Sequence, residues 1–453
     1  MKKHVDLLHE SILPALTRLA VPIMATSLVQ MAYNLTDMLW IGRLGAGAVT
    51  AVGTAGLYIW MSQGVVDLAR IGGQVKVSQS LGSQEVQEAG QFAKGAIQIG
   101  IFLALLFGVV SLLGAGSLIG FFGLQSGQII MDSERYLQIT GGAIIFSFLN
   151  AVLTGILAAE GDSKTSFRVN VVGLIFNIIM DPILIFGLGP FPKMGVEGAA
   201  IATVGAQIVV TILFAIAVRD DRVIFDKFRV FGKPSFCHMR GIVQIGLPAA
   251  MQKMLMAGIS MVLTRLVTSW GDTAVAVQRV GSQIESISWM TAEGFGVAIN
   301  SFTGQNYGAR QYKRVKNGYV AAVKIMTLWG LFTTAVLIFL SVPIFRVFIA
   351  EPAILSAGSD YLKILGASQI FMCIEILTIG AFAGLGKTML SSVISTIFTV
   401  LRIPMAVALS ATTLGLNGIW WAITLSSVLK GIIFFGFYLV TLRKLKKANS
   451  SII

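Results

Sequence analysis

Two acidic residues lie inside long apolar stretches in the first half of the chain. Asp37 follows Asn34 by three residues, and Asp181 follows Asn177 by four residues and directly precedes Pro182. Residues three or four apart share a face of a helix, so each carboxylate is expected to lie beside a carboxamide. Buried oxygens of this kind suit the reversible binding of a proton or of a hard cation.

A carboxylate deep in a lipid bilayer is costly unless it is paired, hydrated or protonated. We therefore predict that Asp37 and Asp181 couple ion binding to a conformational change. Pro182 removes one helical hydrogen bond and predicts a kink beside the second acid. The flanking side chains are expected to contact substrate together with the acids; they are Tyr33, Asn34 and Met180. The alternative is that both acids pair locally and only hold helices together.

The composition indicates the setting of these acids. Of 453 residues, 55% are hydrophobic and 12% charged, with a mean hydropathy of +0.81. Soluble domains carry about 25% charged residues, which excludes an ordinary soluble enzyme. A spanning helix needs about 20 apolar residues, and twelve stretches qualify. The predicted spans are 15-40, 49-71, 93-119, 136-158, 167-188, 196-218, 242-269, 274-298, 319-343, 361-383, 391-412 and 417-441.

The basic residues outside the spans are unevenly distributed between the two sides. One side, with both termini and the loops after even-numbered spans, holds 22 Lys and Arg, whereas the other holds 5. Since cytoplasmic loops of membrane proteins are enriched in Lys and Arg, both termini are predicted to lie in the cytoplasm. The membrane that the chain spans is predicted to be the plasma membrane. This topology explains the net charge of +13 through contact with the lipid bilayer, so no nucleic-acid partner is expected.

The two halves of the chain repeat each other. A shift of 226 positions places Pro22 on Pro248 and Gly45 on Gly271. We predict an all-α polytopic membrane protein, with two six-helix bundles related by a pseudo-two-fold axis along the membrane normal. The predicted domains are an N-terminal lobe at 1-218, a cytoplasmic linker at 219-240 and a C-terminal lobe at 241-453. Two such lobes favour transport by alternating access.

The second half differs in its charges. Leu263 and Ile403 occupy the repeat positions of Asp37 and Asp181, so ion coupling is predicted to be asymmetric. Pairing is favoured for the charged residues within its spans, which are Lys253, Arg265, Arg279, Glu285, Glu293, Glu375, Arg402 and Lys430. Of these, Glu285 and Glu293 are the best candidates for attracting a cationic substrate. In the first half, Asp67 and Arg70 are expected to form an ion pair.

Several segments together resemble a known family. They are Ala20-Val21-Pro22, Asp37 in span 1, Asn177 to Pro182 followed by Ile-Leu-Ile-Phe-Gly, and Gly198 to Thr203. The chain resembles the multidrug and toxic compound extrusion (MATE) transporters, most closely their DinF-like branch. The resemblance implies an antiporter that exports amphipathic, mostly cationic, compounds. It also implies that the coupling ion, H⁺ or alternatively Na⁺, binds at Asp37, Asn177, Asp181 and Thr203. No cofactor is expected, and a monomer is expected.

Three other functions remain open at this stage. A lipid-linked precursor flippase of the same superfamily would need a basic cavity for a diphosphate, for which Lys253, Arg265, Arg279 and Arg402 are available. A membrane enzyme would need a nucleophile with a base, or a metal constellation, and no His, Cys or GxSxG pattern supplies one. A channel would be distinguished by electrical currents far above transporter turnover.

Overall fold

The computed structural model describes residues 5–219, 224–227, 232–347 and 352–450. Within these ranges the regular structure is helical throughout, with one 3-10 turn at Phe225–Lys227. The helices are α1 (Ile12–Gly42), α2 (Ala46–Gly82), α3 (Val86–Gly120), α4 (Gly127–Gly142), α5 (Ile144–Glu160), α6 (Ser163–Phe186), α7 (Gly195–Arg219), α8 (Phe236–Thr268), α9 (Asp272–Gly308), α10 (Tyr312–Phe339), α11 (Ser341–Arg346), α12 (Pro352–Gly366), α13 (Gln369–Gly384), α14 (Thr388–Val400), α15 (Arg402–Ser410) and α16 (Leu416–Ser450).

The helices account for twelve membrane spans. Eight segments are long and apolar enough by themselves, with α14 and α15 counted as one. Two more are bent pairs, α4 with α5 at 47° and α12 with α13 at 49°. The remaining two are α2 and α9, with 37 residues each. At 1.5 Å per residue these two helices are about 55 Å long, well beyond the hydrocarbon core. The predicted all-α fold with twelve spans is confirmed.

The spans begin and end differently from the predicted boundaries. α2 continues to Gly82, whereas the hydropathy pattern predicts an end at residue 71. α9 continues to Gly308 instead of residue 298. In both cases the extra turns are polar, so a search for apolar residues does not detect them although the backbone stays helical. These turns extend each helix past the expected membrane core.

The duplication predicted from the 226-residue offset is visible in the backbone. Gly45 and Gly271 precede α2 and α9 with φ of 113° and 98°, a region that favours glycine. Gln84 and Arg310 follow the same two helices, and both have positive φ, at 65° and 57°. The repeat therefore extends to the unusual backbone conformations at both ends of the matching helices.

The contacts divide the chain into two compact units. Unit 1 contains Ala25–Ala250 and unit 2 contains Asp6–Met24 and Met251–Ile453, within the residues that are described. α1 thus passes into unit 1 three residues after Pro22, and α8 passes into unit 2 three residues after Pro248. The first turns of α1 therefore belong to unit 2, and the first turns of α8 belong to unit 1. The predicted division into transport lobes at residues 218 and 241 stays a prediction.

Within unit 1, the first half of α8 lies directly against α2. A methyl group built on Gly246 would meet the carbonyl oxygen of Leu68 at 1.9 Å, and one on Gly72 would meet that of Ile242 at 2.3 Å. No real Cβ approaches an oxygen so closely, so only glycine allows the two backbones to touch. Small residues at helix contacts are the usual means of close packing in membranes.

We expect Gly246→Ala to destabilise the protein, because the added methyl group must separate α8 from α2. Overpacking of this kind costs about 1–3 kcal/mol. Gly258→Ala is the matched control in the same helix, since nothing lies within 4 Å of a methyl group at that position. The control is expected to be neutral or to stabilise, because alanine is a better helix former by about 1 kcal/mol. Thermal unfolding of both purified variants in detergent measures the difference, and equal midpoints would contradict the packing argument.

Candidate functional site

Five polar side chains of unit 1 form one cluster. Tyr33 and Asp37 come from α1, Asn177 and Asp181 from α6, and Thr203 from α7. Asn177 Nδ2 donates a hydrogen bond of 3.0 Å to Asp181 Oδ1. The Tyr33 hydroxyl lies near the Thr203 side chain and within electrostatic range of both carboxylates. The structure thus brings together the four predicted ion-coupling residues and the aromatic side chain predicted beside them. We call these five residues the acidic cluster.

The oxygens of the acidic cluster are buried, and their capacity to form hydrogen bonds is only partly filled by the described residues. Asn177 and Asp181 are fully buried, and Tyr33 is 9% exposed. One oxygen of each of the five residues is inaccessible and has no hydrogen-bond partner among the described residues: Tyr33 Oη, Asp37 Oδ1, Asn177 Oδ1, Asp181 Oδ2 and Thr203 Oγ1. Buried polar atoms are normally satisfied, because leaving one unpaired costs about 1–3 kcal/mol. The cluster is therefore suited to binding a proton, a cation or water.

Apolar packing one turn away holds the acidic cluster in place. Ile41 follows Asp37 by four residues, and Ile185 follows Asp181 by four. Both isoleucines are at most 2% exposed and belong to one hydrophobic core that also includes Ala199, four residues before Thr203. Because residues four apart share a helix face, packing of this core brings the three polar positions together.

Unit 2 has the same arrangement without the acids. Leu263 and Ile403, at the repeat positions of Asp37 and Asp181, pack into a single hydrophobic cluster with Ile259 and Ala406. The repeat thus places the two matching positions together in both units. Only unit 1 carries acids there, as the sequence predicts.

Two of the predicted substrate contacts, Asn34 and Met180, are more exposed than Asn177 and Asp181 of the acidic cluster. Asn34 is exposed, and its side-chain Oδ1 accepts a hydrogen bond of 3.5 Å from Gln30 Nε2. Met180 is half-buried and next to Asp181 in sequence. Asn34 therefore does not supply a carboxamide to Asp37, and the carboxamide of the cluster comes from Asn177.

The three acids that the sequence places within the spans of unit 2 have polar partners. Glu285 accepts a hydrogen bond of 3.0 Å from Gln369. Glu293 Oε1 lies 3.5 Å from Lys253 Nζ, and Glu375 Oε1 lies 2.6 Å from Lys430 Nζ. Pairing is the favoured interpretation from the sequence for eight charged residues, and the structure shows ion pairs for four of them, Lys253 with Glu293 and Lys430 with Glu375. In unit 1, Arg70 Nε lies 2.6 Å from Asp67 Oδ1, which confirms the predicted ion pair.

Sequence reasoning missed Tyr136 as a site residue. This tyrosine of α4 is 6% exposed, lies near Thr203, and is within electrostatic range of Asp37 and Asp181. A signal was available, because Tyr136 matches Tyr361 at an offset of 225. In unit 2, Tyr361 is likewise within electrostatic range of an acid, Glu285.

The repeat also appears in the comparison with known protein families. A family model described as MatE matches residues 22–183 and again residues 248–408. The two matches begin 226 residues apart, which is the offset of the internal repeat. The chain belongs to the MatE family. As a MatE protein, it is a multi-span membrane transport protein whose two halves each correspond to one copy of the family module.

Relatives and solved structures agree with this membership. A probable multidrug resistance protein NorM of Thermotoga maritima is 29% identical over 415 residues, which cover 89% of this chain and 87% of the relative. An outward-facing multidrug resistance MATE family transporter of the MOP superfamily matches with a TM-score of 0.92 at 25% identity, over 98% of this chain and 99% of that one. A MOP superfamily transporter from Pyrococcus furiosus, described as having a binding pocket of reverse polarity, matches with a TM-score of 0.91 at 25% identity over the same shares.

Proposed function

We propose that this MatE protein is a secondary antiporter that exports amphipathic, mostly cationic, compounds in exchange for H⁺. The observation that carries the proposal is the acidic cluster, in which Asp37 and Asp181 lie together with buried oxygens that have no hydrogen-bond partner in the part of the chain that the structure describes. Relatives named as multidrug resistance proteins support export of foreign compounds as the role. No enzymatic step is part of the proposal, because proton binding and release at carboxylates is sufficient.

In the proposed mechanism, the ion and the substrate bind different states of the protein. A proton that enters from outside neutralises Asp37 or Asp181, which weakens the attraction for a cationic substrate. Where Asp181 is the acid neutralised, the hydrogen bonding of α6 also changes, and Pro182 already removes one backbone bond there. Release of the proton to the cytoplasm restores the charge and readmits substrate. A ligand that bound both states equally could not drive this cycle.

Sodium is the second candidate for the coupling ion. The free oxygens of the acidic cluster come from carboxylates, a carboxamide and hydroxyls, which are the ligand types that a hard cation prefers.

The proposed location is the cell membrane with both termini in the cytoplasm, which follows from the 22 to 5 distribution of Lys and Arg.

We expect dye efflux from proteoliposomes when the medium is made acidic relative to the lumen and no sodium is present. An imposed sodium gradient at equal pH is expected to give no efflux above that of empty liposomes. Efflux driven by sodium alone would replace H⁺ by Na⁺ in the proposal. Absence of efflux under both gradients would contradict the antiport function.

A further inference from the structure

Two helix faces that match each other in the internal repeat differ in what covers them. The helices are α3 and α10, whose first residues are 226 positions apart, the offset of the repeat. In unit 1, Lys94 Nζ donates a hydrogen bond of 2.7 Å to the carbonyl oxygen of Lys233. Gln98 Nε2 donates one of 2.9 Å to the carbonyl oxygen of Gly232. The segment that joins the two halves of the chain therefore lies against this face of α3.

The matching face of α10 is exposed in the part of the chain that the structure describes. Val320 and Lys324 occupy the repeat positions of Lys94 and Gln98, and both are exposed. Lys324 has no hydrogen-bond or ion-pair partner among the described residues. The repeat thus provides unit 2 with a face that unit 1 uses for binding, and the described residues leave this face open.

Six exposed residues of α10 form one stripe along the helix. They recur at intervals of three or four, which keeps them within about 80° of one another around the helix axis. They are Lys313, Asn317, Val320, Lys324, Leu328 and Leu331. The stripe is polar near the start of α10 and apolar after Lys324, where Leu328 is 68% exposed. Because a membrane-spanning helix exposes such leucines to acyl chains, the polar end of the stripe lies toward the lipid headgroups.

The position of Lys324 suits a cation at the membrane interface. It lies about 18 Å along α10 from Tyr312, the first residue of the helix. Side chains of a helix tilt toward its N-terminus, so the ammonium group turns back toward Asn317. Long lysine side chains near helix ends carry their charge to the interface in this way. The charge of Lys324 therefore lies near the headgroups, on the side proposed above as cytoplasmic.

A groove of about 350 Å³ lies beside the polar end of the stripe. Its lining combines one apolar residue, two carboxamides and two cations, which are Ile12, Gln311, Asn317, Lys313 and Arg314. Arg314 donates hydrogen bonds to the carbonyl oxygens of Leu7 and Glu10, which fixes this wall of the groove. Asp6, the acid within electrostatic range of Arg314, accepts hydrogen bonds from backbone N–H groups. The cations and amide donors of the lining favour an anionic group.

We propose that the exposed stripe of α10 and the adjoining groove bind an anionic phospholipid. The phosphate binds the ammonium group of Lys324 and the amide of Asn317, and the rest of the headgroup lies in the groove beside Lys313. The acyl chains lie along Leu328 and Leu331. A zwitterionic lipid would place its own cation beside Lys313, which repulsion between like charges disfavours. The site goes beyond the proposed antiport function, since no step of that cycle requires a lipid.

Two lipids with identical acyl chains test the site. Phosphatidylglycerol is anionic, and phosphatidylcholine is zwitterionic. Native mass spectrometry of the purified full-length protein, released from detergent micelles, measures the apparent dissociation constant of the first lipid bound. The wild type is expected to bind phosphatidylglycerol at least about fivefold more tightly than phosphatidylcholine, because one lysine near an anionic headgroup contributes about that factor.

Substitutions of lysine assign this preference to α10. Lys324→Met should bind phosphatidylglycerol about fivefold more weakly and phosphatidylcholine as the wild type does, whereas Lys324→Arg should keep the preference. The matched control is Lys164→Met, at an exposed lysine of unit 1, and it should also keep the preference. A wild type that does not discriminate would overturn the proposal. So would equal losses in Lys324→Met and Lys164→Met, or a Lys324→Met protein that loses affinity for both lipids equally.

Inorganic phosphate separates a lipid site from a site for a soluble anion. At constant ionic strength, phosphate is expected to leave bound phosphatidylglycerol in place, because it lacks the acyl chains that contact Leu328 and Leu331. Displacement of the lipid by phosphate at equal concentration would overturn the lipid assignment. Binding is measured without any gradient, so the result does not depend on antiport. A protein that keeps the lipid preference while no gradient drives efflux would contradict the antiport function alone.

Discussion

Asp37→Asn is expected to abolish proton-driven efflux while leaving the protein folded. Asparagine keeps the shape of the side chain but cannot release a proton, so the cycle loses the step that links ion and substrate. Asp37 Oδ1 has no hydrogen-bond partner among the described residues, so the change removes no hydrogen bond at that oxygen. We expect driven efflux to fall by at least about tenfold, consistent with loss of a positioned proton-transfer group.

The control for this variant is Asp132→Asn. Asp132 lies in α4, where its carboxylate accepts a hydrogen bond of 2.9 Å from Gln128, and it is not part of the acidic cluster. It should transport at the wild-type rate when both proteins are reconstituted at equal density and the initial rate of dye efflux is measured. Full proton-driven efflux by Asp37→Asn would refute the assignment, and so would an equal loss in both variants.

The spacing of residues on α1 shows what could be inferred about the acidic cluster from the sequence. Asp37 and Asn34 are three residues apart, which places them about 60° apart around a helix. Tyr33, Asp37 and Ile41 follow one another at intervals of four, and this is the face that packs inward, with Tyr33 9% and Ile41 2% exposed. Met38, which follows Asn34 by four residues, is 56% exposed. The sequence predicts that Asn34 and Asp37 share a face of α1. It does not predict which side of this face turns inward, because packing against α6 and α7 decides that.

The repeat allowed a stronger prediction than any single motif. The repeat indicated two equivalent six-helix halves and the apolar equivalents of the acids, Leu263 at 226 positions after Asp37 and Ile403 at 222 positions after Asp181. Partner choice among the charges of unit 2 could not be predicted in the same way. Lys253 pairs with Glu293, and Lys430 with Glu375. Such pairs join different helices, so they depend on the rotation and height of each helix, which hydropathy does not report.

The buried ion pair of unit 2 carries the largest expected effect on stability. Lys430 Nζ lies 2.6 Å from Glu375 Oε1, and both side chains are almost fully enclosed. Removing one partner leaves the other charge without compensation in a poorly solvated interior, which costs about 3–5 kcal/mol. Glu375→Gln is therefore expected to lower the thermal unfolding midpoint of the purified protein far more than a typical single substitution.

An exposed ion pair of unit 1 provides the comparison. Arg135 and Glu197 are paired, with side chains 51% and 36% exposed. Solvent screens such a pair, so Glu197→Gln is expected to cost less than about 1 kcal/mol. The same chemical change is made in both variants, and only the burial of the pair differs. Equal shifts of the two unfolding midpoints would show that burial does not control the effect.

The double variant Glu375→Gln/Lys430→Met separates the interaction from the loss of each side chain. Removing both charges leaves no unpaired ion at this contact, so we expect much of the stability lost in Glu375→Gln to return. Recovery should be incomplete, because Arg402 is also within electrostatic range of Glu375 and keeps its hydrogen bonds to Ser426 and Ser427. A double variant that is less stable than Glu375→Gln would mean that Lys430 contributes mainly through its packing, and that its charge matters little for holding α13 and α16 together.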